Sequence, residues 1–438
     1  MLVSVLGYLA SAVALMTLYR FVYTVIGCIT KSKTFPETDN KHTFGIVIAA
    51  RNESAVIERL MESIEGQDYD HDKYRIFVVA DNCTDDTAAI CRRRGATVYE
   101  RHDPQHARKG YALSYLFRMI DHDFGIDCVD GYIIFDADNL LRTNFLTEIN
   151  KAFDTGAEIC IGYRNTKNFS ENAVSAAYGI HFMRSSAALH RPRSLLGLST
   201  HIAGTGWAVR SKLIKDGWDC TYLTEDTQFT MKYVTAGYKI EYCEAAEFYD
   251  EQPHDLPTAF CQRMRWIKGR LACFFRYALS LSAGIFSFRS DLKTHLSCYD
   301  MFFYLFPVGL FTAVCTTFPA IVKMIYDTTA GNAGASAAIK LGETALISLV
   351  LYWIFTVFTG IAVVIRERRH VRCDVLHLAL YVLLWPWFDL VDIPLSLFSI
   401  FRHIEWKPTK HDRSLSIKDV EDIEDAEDIE RAESVKSE

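Results

Sequence analysis

Phe44-Gly-Ile-Val-Ile-Ala-Ala50, followed at once by Arg51-Asn52-Glu53, is the stretch that decides how this chain reads. A short apolar run without alternation suits a strand buried on both faces, as in a parallel sheet. The polar triplet after it lies where such sheets bind ligands, beyond the carboxyl ends of their strands. The pattern repeats. Tyr74–Ala80 runs into Asp81-Asn-Cys-Thr-Asp-Asp86, and Tyr132–Phe135 runs into Asp136-Ala-Asp138-Asn139. A shorter strand is expected at Ala96–Tyr99. Helical spacing lies between these runs at Ser54–Ile64, Thr87–Arg94 and Gly110–Ile120, the second stopped by Gly95. Alternation from Thr43 to about Tyr249 predicts an α/β fold with a mostly parallel, doubly wound sheet and acidic side chains along one edge.

The chain has 438 residues, half of them hydrophobic. That is room for about two or three domains and a large core. It excludes a disulfide miniprotein, a collagen-like repeat and a wholly disordered chain. The net charge is −7, and Ser414–Glu438 alone holds ten acidic and three basic residues, which is also −7. The remainder is neutral overall, so no basic nucleic-acid-binding domain stands out. The acidic tail, with its near-repeat Glu421–Glu430, reads as disordered or marginally helical. Twelve cysteines occur without a CxxC pair. That spacing argues against a zinc site and for free thiols in a reducing compartment.

Apolar runs at both ends place the chain in a lipid bilayer. Leu2–Ile29 carries Arg20 as its single charge and exceeds the about 20 residues needed to span. Without a basic n-region it reads as a retained anchor rather than a signal peptide. Tyr299–Tyr326, Leu341–Ile365 and Val375–Phe401 are three further candidates. The basic stretch Arg366–Arg372 and the lysines after Ile29 assign the middle region to the cytoplasm, with the near-neutral loop Asp327–Lys340 outside. A fourth full crossing would then leave Arg402, Lys407, Lys410 and Arg413 outside. Pro386, Asp389, Asp392 and Pro394 argue instead for a broken or re-entrant segment that returns the tail.

Four motifs in the middle region carry chemistry. Asp136 and Asp138 are hard oxygen donors suited to Mg²⁺ or Mn²⁺ on a substrate phosphate; alone, the pair is more often an Asx turn. Asp81 at the end of a strand suits a nucleobase or ribose, or plain turn chemistry, while Asp85 or Asp86 caps the helix from Thr87. Lys109 could meet a phosphate or be a solvated loop lysine. Thr224-Glu225-Asp226 precedes a helical stretch Thr227–Ala236, so its acids either favour a helix N-terminus or supply a general base. Gln262-Arg-Met-Arg265-Trp266 lies in Pro257–Phe275, whose basic and aromatic residues suit a helix on the membrane surface. There Arg265 could neutralise a departing diphosphate, and Trp266 could carry a sugar ring.

In this order, and with Ala50-Arg-Asn-Glu53 at the start, the motifs resemble those of the membrane-integrated family-2 glycosyltransferases, which include cellulose, chitin-oligosaccharide, poly-N-acetylglucosamine and hyaluronan synthases. The resemblance covers about Leu2–Lys410. It implies a GT-A-type nucleotide-diphospho-sugar domain inserted between transmembrane helices. The expected organisation is an N-terminal transmembrane helix (1–30), a cytosolic glycosyltransferase domain (31–257), amphipathic interfacial helices (258–297), C-terminal transmembrane segments (298–401) and a tail (402–438). By similarity Asp226 is the base beside Glu225, and Asp81 meets the uridine. Asp136 holds the nucleotide, with Arg51, Glu53 and Lys109 nearby. Asp138, with Asp136, holds the divalent metal. Gln262, Arg265 and Trp266 line the acceptor and diphosphate end, and Gly204-Thr205-Gly206-Trp207 resembles the acceptor-side loop. The chain lacks the cyclic-dinucleotide-binding domain of some cellulose synthases and has few segments for a channel of its own.

The expected activity is inverting, metal-dependent transfer from a UDP-sugar to a growing β-linked polysaccharide or oligosaccharide at the inner membrane, with the QxxRW motif favouring processive addition. A single addition to a membrane lipid is the alternative. A non-catalytic nucleotide-binding transport or scaffold protein is the third reading, and it would need no base at Asp226. The sugar, the linkage, the acceptor and any export partner are specified by no short motif.

Overall fold

The computed structural model describes residues 2–330, 334–371, 373–402 and 413–419. Among these, eight strands form one sheet in the order β3-β2-β1-β4-β7-β6-β8-β5. They are β1 Phe44–Ala50, β2 Tyr74–Asp81, β3 Thr97–Arg101, β4 Gly131–Asp136, β5 Leu140–Leu141, β6 Ile159–Thr166, β7 Trp207–Arg210 and β8 Ile240–Asp250.

β1 to β4 are the strands expected from the sequence, and they pair in parallel. Their uninterrupted apolar content follows from burial on both faces. Val47, Phe77, Val79 and Ile134 pack with Leu113, Leu116 and Ile120 of the helix Lys109–Phe124. Ile46, Ile48, Val78 and Phe135 pack on the other face with Leu60 and Ile64 of the helix Ile57–Glu65. The sheet is mixed beyond β4. β7 lies antiparallel to both β4 and β6, while β6 and β8 are parallel to each other. The registers Ala49↔Asp136 and Ala50↔Ala80 bring the carboxyl ends of β1, β2 and β4 level, so their polar continuations share one edge.

Among the described residues four helices are long and apolar enough to cross a membrane: Val5–Ile29, Val308–Tyr326, Ala345–Arg366 and Val375–Phe401. Three expectations need correction. Tyr299–Leu305 belongs to a separate helix, Leu292–Leu305, which ends before Pro307. Its Asp300, Met301, Phe303 and Leu305 are buried rather than facing lipid. The stretch expected as an outside loop is helical from Gly334 on. The last segment, expected to be broken or re-entrant, runs on as one apolar span, Val375–Phe401. Val391, between the helices Val375–Leu390 and Asp392–Phe401, keeps right-handed helical angles. The Val391 N–H and the Leu395 N–H bond the Trp387 and Val391 carbonyls, so Pro386, Asp389, Asp392 and Pro394 are accommodated without a return turn. Both of its flanks touch the α/β domain. Val371 and Cys373 cluster with Phe169 and Ile180, and Leu415 and Ile417 pack on Leu140 and Tyr249. Most of the expected tail, residues 403–412 and 420–438, lies outside the described residues.

Two buried arginines on the helix Arg191–Leu195 tie the domain to these segments. Arg191 bonds Glu244 of β8 at 2.8 Å, Glu367 at 2.6 Å and the Gly27 carbonyl at 2.9 Å. Arg193 bonds Asp300 at 2.7 and 2.9 Å, and Asp300 accepts from Tyr19 at 2.8 Å. The basic stretch after the third apolar helix therefore lies against the domain, where Arg369 also reaches Glu244 at 3.3 Å. No disulfide forms among the described residues.

Candidate active site

A cavity of about 370 Å³ opens at the carboxyl edge of β1, β2 and β4 and runs to the apolar helices. Its lining includes every site residue expected from the sequence except, in the acceptor-side loop, Thr205, Gly206 and Trp207. Thr205 is buried behind the wall. Its hydroxyl donates to Asn139 Oδ1 at 2.5 Å and accepts from the Asp136 N–H at 2.9 Å, so it braces the Asp136 turn.

At one end, two asparagines turn the chain out of the strands. Asn52 and Asn82 have φ of 56° and 55°, a left-handed geometry that asparagine tolerates. Asn52 Oδ1 accepts from the Thr84 N–H at 2.7 Å, and Asn82 Oδ1 accepts from the Asp103 N–H at 2.8 Å. These turns present Arg51, Glu53 and Asp81 to the cavity. Asp81 accepts from Arg101 Nη1 at 2.5 Å and from Asn82 at 3.1 Å. Its pKa is nonetheless raised, because burial outweighs the Arg101 charge. Asp85, not Asp86, does the capping: it accepts from the Thr87 N–H and hydroxyl and from the Ser54 N–H.

Lys109 joins the next group together. Its Nζ donates to Asp136 Oδ1 at 2.5 Å and to the Gly204 carbonyl at 2.9 Å, and lies 3.9 Å from Glu225. Burial works against its charge, but Asp136 and Glu225 outweigh burial and raise its pKa. Asp138 is buried, accepts from the Glu251 N–H at 3.1 Å and neighbours Asp250. Asp250 is itself held by Arg164, Asn139 and Gln252. Among the described residues no group of three or more His, Cys, Asp or Glu side chains is arranged to hold a metal alone. Asp136 and Asp138 fit a hard cation completed by phosphate oxygens and water, the usual Mg²⁺ arrangement.

Glu225 and Asp226 begin the helix Glu225–Thr235. Burial raises the pKa of both. For Asp226 this is opposed by hydrogen bonds from the Thr227 and Gly204 backbone and by the Lys109 and Arg265 charges. A carboxylate with a raised pKa, yet still bonded to N–H groups, suits proton abstraction. The helix Leu256–Ile285 supplies Gln262, Arg265 and Trp266 to the same cavity. Gln262 Oε1 is buried with no partner among the described residues, and Trp266 packs edge-on to Tyr178 and Phe182.

Sequence reasoning missed the far end of the cavity. Arg20, Arg164, His181, Arg184, Arg270 and Tyr304 line it, on five different helices and strands. These positions form no local motif. The Asp389 and Asp392 partners of Arg184 and Arg263 did stand out, as acids within an apolar segment.

The sequence model of the family described as "Glycosyltransferase like family 2" matches residues 42–269. The chain belongs to this family, and its domain is of the GT-A type. It is 24% identical over 297 residues to "Probable glycosyltransferase YdaM" of Bacillus subtilis, covering 64% of this chain and 66% of that protein. It is 23% identical over 244 residues to "Beta-monoglucosyldiacylglycerol synthase" of Nostoc sp., covering 53% and 50%. The chain thus spans half to just under two thirds of the length of these relatives. The mannosyltransferase PcManGT from Pyrobaculum calidifontis, solved with GDP-Man and Mn²⁺, shares the fold. Its TM-score is 0.58 at 16% identity, over 84% of this chain and 99% of that one.

Proposed function

We propose that this chain is a membrane-bound, inverting, cation-dependent glycosyltransferase that moves a sugar from a nucleoside-diphosphate donor, a UDP-sugar by resemblance, to an acceptor hydroxyl at the membrane. One observation carries the reading: Asp138, Asp226 and Trp266, far apart in sequence, line one cavity that continues to apolar helices. The names of the relatives, a glycolipid synthase and a nucleotide-sugar-bound mannosyltransferase, support the same class.

Asp81, Arg51 and Glu53 receive the nucleoside, and Asp136 and Lys109 the diphosphate. Asp136 and Asp138 would hold a Mg²⁺ or Mn²⁺, which neutralises the leaving diphosphate. Asp226 takes the proton of the acceptor hydroxyl, whose oxygen attacks the anomeric carbon. The bond to the diphosphate breaks, its electron pair leaves with the nucleotide, and the configuration inverts. Arg265 meets the charge that develops on the leaving group. Gln262 Oε1 accepts a sugar hydroxyl, and Trp266 offers the ring a platform. Arg369 reaches Glu244 of the domain and Arg366 bonds the Thr30 carbonyl at the end of the first apolar helix, contacts that support a shared cytoplasmic face. The motif of Gln262, Arg265 and Trp266 favours a second form of this reading, processive extension of a β-linked glycan.

The test uses purified full-length protein with UDP-glucose, UDP-N-acetylglucosamine, UDP-glucuronate and GDP-mannose, with and without Mn²⁺, in lipid. Nucleotide release that needs cation and consumes donor is expected. A ladder of products marks extension, and one discrete glycolipid marks single addition. Absence of release from every donor would overturn the proposal.

A further inference from the structure

The membrane-side end of the cavity carries more positive charge than a neutral acceptor requires. Arg164, Arg184, Arg263 and Arg270 surround His181, whose imidazole is kept neutral by burial and by these four charges. Three of them have acids of their own: Arg164 has Asp250, Arg184 has Asp389, and Arg263 has Asp392 at 2.6 Å. Arg270 reaches only the already engaged Asp392, at 3.8 Å. Arg20, in the first apolar helix, donates to the Phe303 carbonyl at 2.8 Å, and its Nε is buried with no partner among the described residues. Asp300, the acid that acts on Arg20, is taken by Arg193. His181 Nδ1 is likewise buried and without a partner. Arg20 and Arg270, both partly exposed, thus have no acid of their own among the described residues at this end, and an anion that enters the cavity meets two guanidinium donors for charge-assisted hydrogen bonds.

This end also joins the reaction centre to lipid. Tyr304 lines the cavity and is influenced by both Asp226 and Arg270, so the basic end adjoins the base. Arg20 and Phe388 sit on apolar helices whose neighbouring Leu18, Phe21 and Trp387 are exposed. We infer that this end binds the phosphate of an anionic lipid through Arg20 and Arg270, and that the acceptor is a lipid whose headgroup carries both a phosphate and a free hydroxyl. This rests on reading the cavity as a glycosyltransfer site. The displacement is unchanged: the headgroup hydroxyl gives its proton to Asp226 and its oxygen bonds the anomeric carbon, while the lipid phosphate takes no part.

Calorimetric titration of the purified full chain in detergent tests the binding without any donor. The probes are short-chain phosphatidylglycerol, short-chain diacylglycerol and inorganic phosphate. Phosphatidylglycerol is expected to bind at least about tenfold more tightly than diacylglycerol, as a charge-assisted contact would give. Arg20→Gln and Arg270→Gln should each remove most of that preference, while Arg270→Lys keeps it and UDP binding reports that each variant is folded. Equal binding of the two lipids, or a preference that survives both Gln variants, would overturn the inference. So would inorganic phosphate competing at equal concentration, which would mark a free-anion site. If the preference holds and no donor is turned over, the glycosyltransferase reading fails and the anion site stands. If transfer occurs equally well to diacylglycerol, this inference falls alone.

Discussion

Lys109 Nζ sits 2.5 Å from Asp136 Oδ1, so the first acid of the Asp136-Ala-Asp138 pair already has a cation beside it. The same ammonium group bonds the Gly204 carbonyl and approaches Glu225 at 3.9 Å. One lysine thereby links the end of β4, the loop before β7 and the helix that carries Asp226. Much of the charge balance of the site depends on it.

Replacing Asp226 with Asn should remove the base and little else. A general base is worth about 10²–10⁴-fold in rate, so turnover should fall by that factor with donor affinity within about twofold. Steady-state kinetics alongside equilibrium UDP-sugar binding measures both. Turnover near that of the parent protein would show that another group takes the proton.

The pH profile follows from the raised pKa of Asp226. Transfer needs the carboxylate, so the rate is full above its pKa and falls as pH drops through it. The fall should begin above the ordinary aspartate value of 3.8. Lys109 lowers this pKa, so Lys109→Met should move the acid limb of kcat/KM to higher pH. A limb that stays in place or moves down would contradict the assignment.

Removing the cation should abolish donor turnover. Chelation with EDTA and excess Mn²⁺ give the two arms, and Asp138→Asn should raise the Mn²⁺ concentration needed for half-maximal rate by about tenfold or more. Full activity in EDTA would rule out the cation role of Asp136 and Asp138.

Arg101→Met would leave Asp81 buried without its guanidinium partner at 2.5 Å. Breaking a buried pair from one side costs about 3–5 kcal/mol. The apparent melting temperature should fall by several degrees and UDP affinity should weaken. An unchanged melting curve would mean that Asp81 protonates at no cost.

Gly269, on the helix Leu256–Ile285, has no conspicuous sequence context, yet a methyl group there would lie 2.4 Å from Thr224 Oγ1 and 2.9 Å from its Cβ. Gly269→Ala should cost about 1–3 kcal/mol by overpacking. Thr224 directly precedes Glu225 and Asp226, so kcat should fall more than donor affinity. Parent-like kcat would show that the helix yields without moving Asp226.

The parallel half of the sheet was legible because β1, β2 and β4 are buried on both faces, and such burial writes an unbroken apolar run into the chain. The acids after those runs were legible because ligand sites follow strand ends. The break expected in the last apolar segment did not follow from Asp389, Asp392 and the prolines, because Asp389 and Asp392 find arginine partners and the helical bonds continue through Val391. β5 to β8 were not anticipated. β5 is two residues long and β7 four, too short for periodicity to register. The support role of Thr205 was hidden too, because the resemblance of Gly204-Thr205-Gly206-Trp207 to an acceptor-side loop does not say which way each side chain turns.

The order of motifs along the chain therefore establishes the fold type, the family resemblance and the acids at the strand ends, because each is a local pattern of side chains along a single element. The ion pairs of Lys109 and Arg191, the Gln262 Oε1 with no partner among the described residues and the arginines around His181 depend on contacts between residues up to hundreds of positions apart. Packing chooses those partners, and no short-range periodicity encodes which distant charge a buried guanidinium will meet.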